Sequence, residues 1–281
     1  MQITDRDINL FKKLSSYGML STKQIKSLCF GEIAKTTVLR RLRGLEKEKY
    51  IQRLRGLESQ DTLWFLLERG AKIGEVQLPK RHWSKNLLEH DFKLIALRLL
   101  LESHDLAHSW IPEHEIRRSI FKNNDFRSAK EKLIPDGLMG IEINGIKHTL
   151  AIELELTLKN TDKMRKVIGR YKEKELHGVW YISPSKAILK SIQYQWNKAW
   201  GMNKNPPILY LSYLDQVMKS PLEAKVFADG KWQKTSELWT IKTIKPAHPS
   251  ALGVNVDSNQ LREKIIDVSN NNHTPILKTA S

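Results

Sequence analysis

The stretch from Ile134 to Lys159 reads IPDGLMGIEINGIKHTLAIELELTLK, and at its centre Asn144-Gly145 separates two segments of alternating polarity. An Asn-Gly pair in that setting marks a β-hairpin with a type I′ turn, which needs positive φ at both central positions. A two-residue turn fixes the register. It sets Ile143 against Ile146, Glu142 against Lys147, Leu138 against Ala151 and Asp136 against Glu153. Side chains alternate between faces along a strand, so Met139, Ile141, Leu150, Ile152 and Leu154 share an apolar face. The opposite face carries Asp136, Glu142, Lys147, Glu153, Glu155, Thr157 and Lys159.

Glu142 and Lys147 make an ordinary exposed ion pair across the strands. Asp136 and Glu153 are different, because like charges directly opposed on a sheet are destabilising, and Glu155 adds a third. Either the strand end is exposed and water screens the acids, or a divalent cation turns their repulsion into coordination. An all-oxygen set of this kind suits Mg2+ or Mn2+ rather than zinc.

The rest of the chain frames that choice. With 281 residues, at about 150 per domain, two domains are expected. Lysine and arginine number 47 against 31 acids, a net charge of +16, and the isoelectric point is near 9.8. Such a field favours polyanions, nucleic acid first and an anionic membrane surface second. No apolar run reaches the roughly 18 residues of a membrane span, and the first residues, MQITDRDINLF, lack a signal-peptide core. The only cysteine is Cys29, which excludes an internal disulfide framework and a multi-cysteine zinc site and fits a reducing cytosol.

Residues 1–75 predict three helices and a hairpin. Thr4 caps a helix over Asp5–Tyr17 with Ile8, Leu10, Phe11 and Leu14 as its apolar stripe. Ser21 caps a short helix over Thr22–Leu28, and a third runs from about Lys35 to Glu48 with Val38, Leu42 and Leu45 inward. Strands Tyr50–Arg55 and Thr62–Leu67 follow, joined by the polar loop Gly56–Asp61. That order predicts a winged helix-turn-helix whose third helix enters a major groove. Its outer face, Lys35, Thr36, Thr37, Arg40, Arg41 and Arg43, is the candidate DNA-binding surface; a merely solvated basic face is the alternative.

Residues 76–240 predict a second, α/β domain, entered through a linker over 71–85. An apolar helix covers about Asn86–Ser103, and strands are expected at Trp110–Arg118, 136–143, 146–158, 178–183 and 207–213. A loop is expected over 119–131 and a helix over 162–175. Trp196 and Trp200, four residues apart beside Lys198, read as core anchors, with contact to DNA as the alternative. Residues 241–281, rich in Asn and Ser, predict a flexible tail with a short helix around Gln260–Val268.

Pro135-Asp136 followed on the next strand by Glu153-x-Glu155 resembles the core of the PD-(D/E)xK nuclease superfamily. In that superfamily the acids hold magnesium and a lysine places or activates the attacking water. Here Glu155 stands at the usual lysine position, which leaves Lys159, or else Lys163 or Lys166, for that role. The wider layout is similar to the replication-relaxation family, which includes MobC-type relaxases. It combines a predicted winged helix, a helix with His90, Trp110-x-x-Glu113, the Pro-Asp strand, IELELTLK and a helix ending in Tyr171.

The resemblance implies a restriction-endonuclease-like α/β/α domain and site- and strand-specific nicking at a transfer origin. It also implies Asp136, Glu153 and Glu155 as metal ligands, Lys159 and His90 as further site residues, and Glu89 and Asp91 as weaker ones. His90 is otherwise a packed core histidine. The partners implied are duplex DNA, single-stranded DNA, relaxosome accessory proteins and a coupling protein, in a bacterial cytoplasm. Attack by a tyrosine instead of water, a non-catalytic DNA-binding accessory protein and a restriction-type endonuclease remain as alternatives.

Overall fold

A computed structural model of the chain describes residues 1–54, 62–79, 85–123, 132–171, 176–200 and 206–239. The loop predicted over Gly56–Asp61, much of the predicted 119–131 loop and the whole predicted tail lie outside these residues. The chain divides into two compact units, Met1–Ala96 and Leu97–Ser281. Among the described residues no helix is long and apolar enough to cross a membrane.

The first unit opens with α1 (Asp5–Tyr17), β1 (Leu20–Ser21) and α2 (Thr22–Ile25), which passes into a π-helical turn over Lys26–Phe30. Helix α3 (Lys35–Lys47), strands β2 (Ile51–Leu54) and β3 (Leu63–Leu66) and helix α4 (Glu68–Ile73) follow. The strands form one antiparallel sheet in the order β1-β3-β2. Thr4 sets the start of α1, its N–H and hydroxyl both donating to Asp7 Oδ2 at 2.8 Å. Ser21 and Gln24 cap α2 reciprocally, as in a capping box. Leu10, Phe11, Leu14, Val38, Leu42 and Leu45 are fully buried, at the positions that helical periodicity assigns to the core. Helix α4 occupies the start of the predicted linker.

The second unit is mixed α/β. Helix α5 (Lys85–Ser103) crosses the division between units and is followed by β4 (Ser109–Pro112) and α6 (Glu113–Asn123). The strand predicted over Trp110–Arg118 therefore ends at Pro112. Beyond it, Glu113 and Arg117 pair at i, i+4, and Ile116 and Ile120 bury one stripe, which is helical and not strand periodicity. Strands β5 (Gly137–Ile143) and β6 (Ile146–Leu154) form the hairpin, and then come α7 (Thr161–Arg170), β7 (Gly178–Ser183), α8 (Lys186–Trp200) and β8 (Ile208–Tyr213). The chain closes with α9 (Leu214–Lys219), β9 (Lys225–Ala228), β10 (Lys231–Lys234) and α10 (Thr235–Leu238).

Seven strands make one sheet in the order β10-β9-β8-β7-β6-β5-β4, parallel across β6, β7 and β8 and antiparallel elsewhere. The hairpin register is the expected one, from Ile143 against Ile146 to Gly137 against Ile152. Asn144 and Gly145 have φ of 51° and 80°, as a type I′ turn requires.

Both faces of this sheet are buried at its centre. Met139, Ile141, Leu150, Ile152 and Trp180 fill one side. The other side, Leu138, Ala151, Val179, Tyr181 and Leu211, packs with α6, α7 and α8 through Ile116, Met164, Ile168, Ile188, Ile192 and Trp196. The acid-bearing face is thus a core face. An exposed strand end screened by water is not what the acids occupy. Trp196 and Trp200 stack on each other at 5.7 Å within that core, in keeping with the reading of both as anchors.

Candidate functional site

The candidate site lies where the parallel strands β6 and β7 end. Asp136 immediately precedes β5, Glu153 is the penultimate residue of β6, and Glu155 follows the strand, its N–H bonded to Ile182 O at 2.9 Å. Glu153 and Glu155 retain only 6% and 3% of their exposure. Burying carboxylates costs several kcal/mol unless each finds a partner, and each of these does.

Asp136 Oδ2 accepts from Leu154 N–H at 2.8 Å, which ties the first acid across the hairpin. Tyr171, buried just after α7, donates its hydroxyl to Glu153 Oε1. Lys159 Nζ pairs with Glu155 Oε1. Strand β6 ends at Leu154, so Lys159 reaches Glu155 from the loop before α7 and not from the predicted strand extension.

Glu153 is the most perturbed member. Burial, reinforced by the Asp136 charge, outweighs Tyr171 and Lys159 and pushes its carboxyl up to about 8. Burial works against the charge on Lys159, yet Glu155, Glu153 and Asp136 together hold its ammonium above the ordinary value. Tyr181, paired with Glu153 across β6 and β7, is fully buried. Its hydroxyl has no hydrogen-bond partner among the described residues and feels the charges of Glu153, Glu155 and Asp136. Tyr171, named in the sequence layout only as the end of a helix, and Tyr181, whose only signal is alternation within a buried strand, are not among the site residues expected from sequence. Among the described residues no three acidic, imidazole or thiolate side chains are gathered so as to hold a cation as they stand.

The structure thus brings Asp136, Glu153, Glu155 and Lys159 together in the second unit. His90 lies on the first-unit part of α5, half-buried, with Nδ1 3.4 Å from Asp91 Oδ1. Lys163 and Lys166 are exposed on α7. Glu113 is the first residue of α6 and pairs with Arg117.

On α3, Lys35, Thr36, Thr37, Arg40 and Arg43 are exposed. Arg41 is not part of that open face. It ion-pairs with buried Asp7 and donates to Gln2 O at 2.8 Å, pinning α3 to the start of α1. Burial opposes the charge on Asp7, but Arg41 and Thr4 outweigh it and hold the carboxyl below its ordinary value.

No family model matches the chain, and no curated protein matches it.

Proposed function

We propose that this protein is a divalent-metal-dependent DNA endonuclease of the relaxase type. In this reading the first unit is a winged helix that docks α3 in a major groove, and the second is a PD-(D/E)xK-like core that nicks one strand at a transfer origin. Relaxosome accessory and coupling proteins in a bacterial cytoplasm would be its partners. The observation that supports the reading is the buried Glu153 beside Asp136, an arrangement that costs stability and is common where carboxylates serve a site.

A hard cation would draw its oxygens from the three carboxylates, which as they stand are not gathered as a cation site, with the Tyr181 hydroxyl as a further buried polar atom among their charges. Asp136, Glu153 and Glu155 would hold Mg2+ or Mn2+, which supplies charge stabilisation at a phosphate and hydroxide at neutral pH. The chain's own contributions are separate. Lys159 holds a proton firmly and offers its positive charge to a phosphate oxygen. Tyr171 orients Glu153 and keeps Oε1 from turning away. Helices α6, α7 and α8 exclude water from behind the acids.

The internal partners of the three acids favour a second reading, a DNA-binding accessory protein with a non-catalytic core. The test is supercoiled plasmid carrying the DNA that flanks the gene, incubated with millimolar Mn2+. The endonuclease reading expects open circles from the wild type and none from Asp136→Asn. It also expects Mn2+ to raise the wild-type melting temperature and leave that of the variant unmoved. Binding without nicking and without a melting shift selects the accessory protein, and linear product selects a restriction-type enzyme.

A further inference from the structure

Helices α7 and α8 turn their apolar stripes to the sheet, and what remains on their outer sides is basic. In α8, Ile188, Ile192 and Trp196 are buried, while Lys186, Lys190, Tyr194 and Lys198 recur at every fourth position and are exposed. The helix contains no acid. In α7, Met164 and Ile168 are buried, and Lys163, Lys166 and Arg170 form the exposed stripe. The one acid of the two helices, Asp162, pairs with Arg165 at 3.3 Å. Both helices pack with the same sheet face, so the two stripes belong to one surface.

That arrangement works against the helices themselves. Like charges at i, i+4 destabilise a helix, and Lys186 in the first turn opposes the macrodipole. An ordinary solvated face alternates Glu with Lys and gains from the pairing. In the middle of the α8 stripe stands Tyr194, 63% exposed, a large aromatic ring among lysines. Aromatic rings set in a basic track are what binding of a nucleic-acid strand uses.

The dimensions suit a phosphate chain. Lys186 and Lys190 are about 6 Å apart along the helix, and Lys186 to Lys198 spans about 18 Å, at 1.5 Å per residue. At 3.4 Å per nucleotide that is roughly five phosphates of one strand. Tyr171, immediately after α7, is buried and holds Glu153 on the core side of the helices, whereas this surface is their solvent side.

We propose that the outer face of α7 and α8 is a second DNA-binding surface, separate from α3, in which Lys186, Lys190, Lys198, Lys163 and Arg170 hold backbone phosphates and Tyr194 stacks on a base. It rests on the reading of DNA as the substrate and adds a second track for the strand's backbone besides the α3 contact.

The experiment measures affinity of the full-length protein for a random-sequence duplex as a function of salt. Each lost phosphate contact lowers the slope of log K against log salt by about 0.9, so Lys186→Gln/Lys190→Gln/Lys198→Gln should lower it by about 2.7. Lys163→Gln/Arg170→Gln should lower it by about 1.8. Tyr194→Ala should weaken binding of a single-stranded oligonucleotide about fivefold or more while leaving the duplex slope unchanged. All these positions are exposed, and unchanged melting curves establish that the variants fold.

A wild-type slope retained by both charge variants overturns the second surface while leaving the endonuclease reading in place. Loss of binding to phosphatidylserine vesicles with DNA binding unchanged assigns the face to a membrane and also overturns it. A wild type that binds no DNA at low salt defeats the endonuclease reading and this inference together.

Discussion

Glu153→Gln isolates what the buried acid costs. The carboxyl ionises near 4.5 in an unfolded chain and near 8 in the folded one, raised first by burial and then by Asp136. A folded-state value above the unfolded one means that the native protein binds the proton more tightly. Stability is therefore fully present below about pH 4.5 and is lost as pH rises towards 8. Taking 1.36 kcal/mol per pH unit, the loss on this group is about 3 kcal/mol at pH 7 and about 5 kcal/mol at pH 9. Glutamine has the same shape, can still accept from the Tyr171 hydroxyl, and cannot ionise. The variant and the wild type should thus have similar pH-independent packing but diverge with pH. In a unit of this size 1 kcal/mol moves the midpoint by roughly 2–4 °C, so the variant should gain about 6–12 °C on the wild type between pH 4.5 and pH 7. Metal-free thermal unfolding at pH 4.5, 7 and 9 measures it. Parallel curves for the two proteins across that range would refute the argument that Glu153 holds its proton near neutrality.

Two further substitutions test the framework around the sites. Arg41→Ala leaves the nearly fully buried Asp7 without its main partner and should cost about 2 kcal/mol, whereas Arg40→Ala should leave stability unchanged and weaken DNA binding; urea unfolding and a binding titration separate the two roles. In Gly178→Ala the new methyl would sit 2.5 Å from Ile208 O, a backbone atom that cannot step aside, so a loss of about 1–3 kcal/mol is expected by urea unfolding.

The hairpin was legible because its turn chemistry and its alternation agree, and each alone specifies the same register. The same rule applies at Asp229-Gly230, where φ of 49° and 82° turns β9 into β10, yet the four-residue strands on either side carry too little alternation to have announced themselves. The start of helix α6 reads as strand from sequence because the apolar, β-favouring Trp110 and Ile111 precede it, while the helical signal begins only after Pro112. In the same way, Arg41 faces outward by periodicity alone. Nothing in the local sequence shows that Asp7, far away in the chain, draws it inward.

The largest gap between sequence and structure concerns burial, and it decides how the acids are understood. Alternation assigned Asp136, Glu153 and Glu155 to one face but could not say whether water or protein covers it. That depends on α7 and α8, whose apolar stripes meet Leu138, Ala151 and Tyr181 only after the crossovers that make β6, β7 and β8 parallel. Parallel strands need covering helices on their faces, so the same topology that orders these strands also removes water from their acid-bearing face. A facing pair of acids in solvent is a minor electrostatic cost; under two helices it raises Glu153 to about 8. Tyr171 and Tyr181 follow from the same cause. Each is a large residue in a buried element, and each brings a hydroxyl to a place where carboxylates have lost their solvent. One of those hydroxyls is spent on Glu153. The other, on Tyr181, has no hydrogen-bond partner among the described residues, which leaves a buried donor unsatisfied beside carboxylates that have lost their solvent.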